Sequence, residues 1–214
     1  MNIVDISKQR YTTKHYDKNK RIPAEQLAQL LEVIRNSPTS VNSQPGHFFV
    51  IDNDQARAKI MPAIMEPNQQ RIADASHTII FCVKSPLSEQ HLQNLLAQED
   101  KDGRFTSAED KQMMDQGRRM FVEYNSNTPQ CQLEWEAKQL YISLGQLLFA
   151  ATAIGVDSTA MEGFDKAKMD EVLDLNQQGL RSVLVVTLGY RSADDSNASR
   201  PKSRLPKEQI FTQL

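Results

Sequence analysis

Leu133-Glu-Trp-Glu-Ala-Lys-Gln-Leu-Tyr-Ile-Ser-Leu-Gly-Gln-Leu-Leu-Phe-Ala-Ala-Thr-Ala-Ile154, followed by Gly155, is the stretch on which the fold turns. Leu140, Tyr141, Leu144, Leu147, Leu148 and Ala151 recur at helical spacing, and Gly155 supplies a left-handed stop. Beyond Trp135 the pattern is apolar around most of the circumference. That predicts burial on nearly all sides, as a central helix or at a subunit interface. Working outward, the spacing of Leu27, Leu30, Leu31 and Ile34 predicts a helix over 24–35, with Pro23 suited to its first turn. Ser107 with Asp110 reads as the cap of a helix carrying Met113, Gly117, Met120, Phe121 and Tyr124 on one face. Asp165 reads as the cap of another, carrying Met169, Val172 and Leu173. Strands are predicted over 47–51, 78–83, 156–160 and 182–188. The run Ile79-Ile80-Phe81-Cys82-Val83 is apolar on both faces and so belongs in the middle of a sheet. Few strands among many helices predict a three-layer α+β domain spanning 1–214.

The 214 residues are 39% hydrophobic and 24% charged, which argues against disorder and gives one domain-sized core. The longest apolar runs, such as Leu147 to Ala151, fall far short of the ~20 residues a membrane span needs. Residues 1–10 lack the apolar core and cleavage site of a leader. Two cysteines, Cys82 and Cys131, exclude a disulfide framework, so a cytoplasmic setting is expected. Glycine spacing excludes more. The closest two of the 8 glycines are Gly155 and Gly163, so neither a dinucleotide fingerprint nor a P-loop can form. Any phosphate must be held by side chains.

Charge is segregated. Residues 1–21 carry net +4, residues 200–214 carry +3, and 22–199 carry −9, within an overall −2. Basic ends are commonly solvated tails. Here, however, Arg10 and Lys14 lie beside aromatics, and Arg204 sits between Pro201 and Pro206. With chain ends brought together, the two clusters would form a pocket for one small polyanion rather than a nucleic-acid surface.

Three loops carry polar chemistry. Ser37-Pro38-Thr39-Ser40-Val41-Asn42-Ser43-Gln44-Pro45 either satisfies its own turns or hydrogen-bonds an uncharged heteroaromatic or ribityl-type ligand. Met161-Glu162-Gly163-Phe164 is either a turn with Gly163 at positive φ or a backbone amide aimed at a ligand. Glu66 to Arg71 reads as polar and exposed. His15, His47, His77 and His91 show no metal-ligand spacing, Cys82 reads as an inert core thiol, and Ser40 lacks a nucleophile elbow. The stripe Met113, Met114, Met120 reads as core packing, or else as an adaptable pocket wall.

Together, Arg10-Tyr11-Thr12-Thr13-Lys14, Pro38 to Pro45, Met161 to Phe164 and Pro201-Lys202-Ser203-Arg204-Leu205-Pro206 resemble the FMN-dependent nitroreductase family. The likeness is to its oxygen-insensitive NAD(P)H nitroreductase and dihydropteridine reductase branch, and runs from about Ile6 to Leu205. The resemblance implies a mixed, mainly antiparallel sheet flanked by helices, in an intertwined homodimer with two interfacial FMN sites. It implies NADH or NADPH as donor and two-electron, ping-pong hydride transfer to nitroaromatics, quinones, pterins or flavins. It places Arg10, Lys202 and Arg204 at the phosphate or ribityl chain, with Tyr11 and Thr12 beside them. It places Lys14, Asn68 and Arg71 at the pyrimidine edge, and the Glu162 and Gly163 amides at N5 and O4. Pro38, Thr39, Ser40 and Asn42 would come from the other subunit, while Phe121 and Val41 would border the substrate channel. The chain departs from the family pattern at Gly46, where an aromatic is frequent, and at Val41, Pro67, Arg71 and Ala160. A dedicated flavin reductase and a non-catalytic flavin-binding module are the alternatives.

Overall fold

Ile79, Phe81 and Val83 point into one core and Ile80 and Cys82 into another, because alternate residues of a strand face opposite sides of its sheet. The protein is described here by a computed structural model covering residues 2–214; Met1, the start of the stretch tested for a leader, lies outside them. In chain order its α-helices are α1 (Ile3–Gln9), α2 (Ala24–Arg35), α3 (Asp54–Ile60), α4 (Glu66–Asp74), α5 (Glu89–Lys101), α6 (Ala108–Tyr124), α7 (Pro129–Ala153), α8 (Lys166–Val172) and α9 (Lys207–Ile210). The strands β1 (Gly46–Ile51), β2 (His77–Lys84), β3 (Asp157–Met161) and β4 (Leu180–Gly189) form one sheet in the order β1-β2-β4-β3. Every neighbouring pair is antiparallel, and the parallel component reduces to a bridge between Thr12 and Ser158.

Three layers result. Leu30 and Ile34 of α2, with Leu140, Leu144, Leu147 and Ala151 of α7, close over one sheet face. Ile60 of α3, Ile72 of α4 and Met169 of α8 close over the other. Each such side chain contributes about 1.5–3 kcal/mol on burial, so the two-sided β2 is the mechanical centre. Burial also pushes the Cys82 thiol up to about 12, consistent with an inert core residue.

The long helix starts at Pro129 rather than Leu133. Thr128 Oγ1 accepts the Cys131 N–H at 3.0 Å, and Pro129 fits the first turn. It ends as expected before Gly155, at φ +78°. Within the single chain its burial is one-sided, which sets aside the central-helix reading and leaves the subunit-interface one: Tyr141, Ile142 and Phe149 remain about two-fifths exposed. Pro23 is the N-cap of α2 rather than a first-turn residue. Glu66 to Arg71 is no exposed loop but the start of α4, with Asn68 and Arg71 partly buried. Met113 and Met120 are more than 60% exposed, so the methionine stripe is not core packing in this chain. No helix among the described residues is long and apolar enough to cross a membrane.

Candidate active site

The two basic ends of the chain meet. Arg10 follows α1, and the Pro201–Pro206 segment returns beside it to enclose a pocket of about 630 Å³. Among the described residues six cations line it (Lys8, Arg10, Arg191, Arg200, Lys202 and Arg204) and no carboxylate does. Lys202 Nζ donates to the carbonyls of Ser7, at 2.7 Å, and Arg10, satisfying acceptors left over at the end of α1. Burial and the neighbouring Arg204 push the Arg10 guanidinium down; burial, Arg10 and Arg204 do the same to Lys202. Arg10, Lys202 and Arg204 are held together with no acid among the described lining residues, which favours the approach of an anion. Arg191 stacks over Tyr11, 5.0 Å from the ring centroid, and pairs with Asp157 at 3.2 Å.

Asp195 fastens this corner. Its buried carboxylate accepts from Tyr11 Oη at 2.8 Å and from the N–H groups of Lys14 at 2.9 Å and His15 at 3.3 Å. Burial alone would raise its pKa, but these bonds and the Asn197 N–H hold it below the usual carboxylate value. Thr12 is fixed through its carbonyl, which accepts from Asn197 Nδ2 at 2.7 Å. The Lys14 side chain is left facing Arg71 and Arg200, and burial plus those two cations lower its pKa.

From Arg71 the path continues through hydrogen bonds. Arg71 Nη1 donates to Asn68 Oδ1, and Asn68 Nδ2 donates to the Gly163 carbonyl at 3.0 Å. Gly163 does not have positive φ, so the turn reading fails on conformation. What requires glycine is space: a Cβ there would lie 2.5 Å from Asn68 Nδ2. Tyr141 Oη donates to the Glu162 carboxylate, drawing that side chain onto α7. The turn's carbonyls accept from Phe164 N at 2.9 Å and Met65 N at 3.3 Å, while the Glu162 and Gly163 N–H groups donate to no described residue.

The loop after Pro38 forms a second, distinct cluster. Val41, Asn42 and Gln44 all lie in the left-handed region, at φ 47°, 51° and 43°. Non-glycine residues held there cost about 1–3 kcal/mol each, so the surroundings must over-determine them. Gln139 Oε1 accepts the Ser40 N–H at 2.8 Å, Thr39 Oγ1 accepts the Gln44 N–H at 3.0 Å, and His91 Nε2 reaches the Ser43 carbonyl at 2.8 Å. The Asn42 amide is committed to Glu99 at 2.7 Å and to Gln44 at 3.1 Å. Phe121 is half-exposed on α6, its ring 6.5 Å from that of Tyr124.

These two clusters lie on opposite sides of α7. Tyr141 touches the Glu162 turn and Gln139 touches Ser40, and residues two apart on a helix point about 200° apart. Arg200 belongs to the basic tail already expected at the anion pocket, whereas sequence reading missed Arg191, Asp195, Tyr141 and Gln139. Gln139 had a signal as an amide in an otherwise apolar stripe. Asp195 and Arg191 had none.

The sequence model of the Nitroreductase family matches residues 7–190. The chain belongs to the nitroreductase family. It is 36% identical to an oxygen-insensitive NAD(P)H nitroreductase of Salmonella typhimurium, with all of both chains covered. It is 32% identical to the major NAD(P)H-flavin oxidoreductase of Aliivibrio fischeri, over 99% of this chain and 98% of that one. Its fold matches a nitroreductase from Exiguobacterium sibiricum solved in complex with FMN, with TM-score 0.85 and 22% identity over 100% and 98% of the two chains. Nitroreductase-family membership accounts for the antiparallel sheet flanked by helices.

Proposed function

We propose that this nitroreductase-family chain is an FMN-dependent NAD(P)H oxidoreductase that reduces nitroaromatic and quinone-type acceptors by electron pairs. The single observation that carries the reading is the continuous line from an acid-free cationic pocket, through Lys14, Arg71 and Asn68, to the two free N–H groups of Glu162 and Gly163. The residues fit a flavin phosphate at one end and a polar heteroaromatic edge at the other. Arg71 Nε, buried without a partner in the chain, adds a spare donor at that edge.

In this reading Arg10, Lys202 and Arg204 hold the phosphate by charge-assisted hydrogen bonds. Bound FMN supplies the reversible hydride-accepting chemistry that side chains lack. Lys14 and Arg71 would set positive charge against the pyrimidine edge of a bound flavin, and the Glu162 and Gly163 N–H groups would donate along its N5 and O4 side. Asn68 holds the Gly163 carbonyl in register with Arg71. No protein nucleophile is needed. Nicotinamide and acceptor use the same face in turn, so initial-rate plots against the two substrates should run parallel; intersecting lines would refute the ordering.

The opposed clusters on α7 support a homodimer in which the 38–42 loop of one subunit covers the flavin of the other. The tail from residue 200 onward supports the same reading. It is exposed throughout, with Leu205, Ile210 and Phe211 bare in the single chain. Two free cysteines accord with a cytoplasmic setting. The Aliivibrio relative favours a second reading, a dedicated flavin reductase. The visible spectrum of the purified protein tests the first proposal: released FMN and NAD(P)H oxidation are expected. A colourless protein that takes up no added FMN would remove it. Comparable turnover of free FMN and of menadione would exclude dedication to flavin.

A further inference from the structure

A buried ion pair sits directly behind the left-handed loop. Glu99 of α5 and Arg118 of α6 are 4% and 2% exposed, and Arg118 Nη2 donates to Glu99 Oε2 at 2.5 Å. One further atom of each residue is turned on the loop. Glu99 Oε1 accepts from Asn42 Nδ2 at 2.7 Å, and Arg118 Nε donates to the Val41 carbonyl at 3.1 Å. Arg104 lies further out, 3.7 Å from Glu99 Oε1. As a source of stability the arrangement is poor. Two charges are desolvated, Arg118 Nη1 is buried with no partner, and an apolar pair of like volume generally serves as well or better. Its distinctive product is geometric. Val41 and Asn42 are held at positive φ, a conformation a valine rarely adopts without constraint.

The same helix carries Phe121 three residues after Arg118, on nearly the same face. Val41 packs on the small cluster of Leu87, Leu92, Val122 and Trp135, so its side chain is anchored to α6 as well. One rigid unit therefore joins Val41 and Phe121, the two residues expected to border the acceptor channel. We propose that Glu99 and Arg118 are positioning residues for the acceptor: by clamping the 40–42 loop onto α6 they fix the relative placement of Val41 and Phe121, the wall against which a flat aromatic or quinone ring lies. The pair touches neither flavin nor substrate. This inference rests on the flavoenzyme reading and adds to it what sets the channel's shape.

The test uses the flavin-loaded enzyme and the double variant Glu99→Leu/Arg118→Leu, which keeps the volume filled and leaves no lone buried charge. Hydrogen exchange of the 40–44 amides should quicken about tenfold, as expected for loss of a charge-assisted bond. The KM for menadione should rise about tenfold while turnover with ferricyanide, an outer-sphere acceptor that needs no channel, stays within about twofold. Arg118→Lys keeps the ion pair but loses the Val41 bond, and should fall between. Unchanged loop exchange would show that the pair does not hold the loop. Faster exchange with an unchanged menadione KM would make the pair structural only and overturn the proposal. If the double variant does not fold, Arg118→Lys alone decides by the same two readouts. A wild-type protein that binds no FMN fails the parent reading before any variant is compared.

Discussion

The cationic corner and the 38–44 loop are both assigned to one cofactor, yet they are built in opposite ways. Around Arg10, Lys202 and Arg204 the chain gathers like charges, lines the pocket with no acid among the described residues, and leaves the protonated forms of Arg10 and Lys202 disfavoured. Around Val41 and Asn42 it spends donors and acceptors from α5, α6 and α7 to hold a strained backbone whose polar groups are met from within. The first region carries uncompensated charge. The second meets its backbone groups largely from within the chain and offers a shape. A flavin site needs both, since an anion is captured by uncompensated charge while a ring is oriented by a wall that does not yield.

The largest effect should come from dismantling the charged side. Arg10→Ala/Arg204→Ala should raise the FMN dissociation constant at least ~100-fold, at about 1.5–3 kcal/mol per charge-assisted contact. The same change should leave the melting temperature of the flavin-free protein equal or higher, because repulsion is relieved. Fluorescence titration and calorimetry together check this; a lower flavin-free melting temperature would mean the corner was already satisfied.

Next comes Gly163, whose carbonyl Asn68 ties to Arg71. Gly163→Ala places a methyl against Asn68 Nδ2 and should destabilise the protein by about 2 kcal/mol. Asn68→Ala in the same chain should recover part of that loss in a urea melt. No recovery would mean that the glycine serves something other than close approach.

The third prediction probes the helix behind the loop. Glu136 of α7 is fully buried, and burial pushes its carboxyl up to about 7. Ser85, Gln132 and the Leu87 backbone check the rise, yet neither oxygen meets a partner in good hydrogen-bond geometry. A folded pKa above the ordinary 4.5 means the native state holds the proton more tightly than the unfolded chain. Stability from this group is therefore full below about pH 4.5, is lost between there and about pH 7, and is flat above. Glu136→Gln should match wild type at pH 4 and exceed it by about 1–2 kcal/mol at pH 8. A difference that does not grow across that window would place the carboxylate in a solvated or paired setting.

The smallest effect should come from relieving strain on the loop side. Gln44→Gly, at φ 43° on an exposed loop, should stabilise the protein by about 0.5–1 kcal/mol without altering FMN affinity. A matching loss of affinity would tie the strain to binding and blur the contrast between the two regions.

Much of the architecture could be read from periodicity. The two-sided apolar run of β2, the caps Ser107 and Asp165 and the stop at Gly155 stand where local physics puts them, because each depends on neighbours within a few residues. Short helices were harder. α1 and α3 run seven residues each, too brief for a period to declare itself, and the polar α4 looked like a loop. For the site, the chain's own chemistry pointed to side-chain phosphate binding through glycine spacing and the charged ends. The individual roles came from motif resemblance. Asp195 and the Glu99–Arg118 pair were invisible, since an acid or an ion pair in sequence carries no mark of the partner it will meet across the fold.

By itself the sequence determined what binds locally and what cannot: a two-faced central strand, a capped long helix, no glycine cradle, and cations at both ends. Those follow from residue type and short-range spacing. Only the tertiary structure decided that the two ends share one pocket, that Gly163 is needed for closeness rather than for φ, and that the loop and the Glu162 turn sit on opposite sides of α7. Each of those depends on distances between segments far apart along the chain. Such distances are fixed by packing, which residue order constrains but does not spell out.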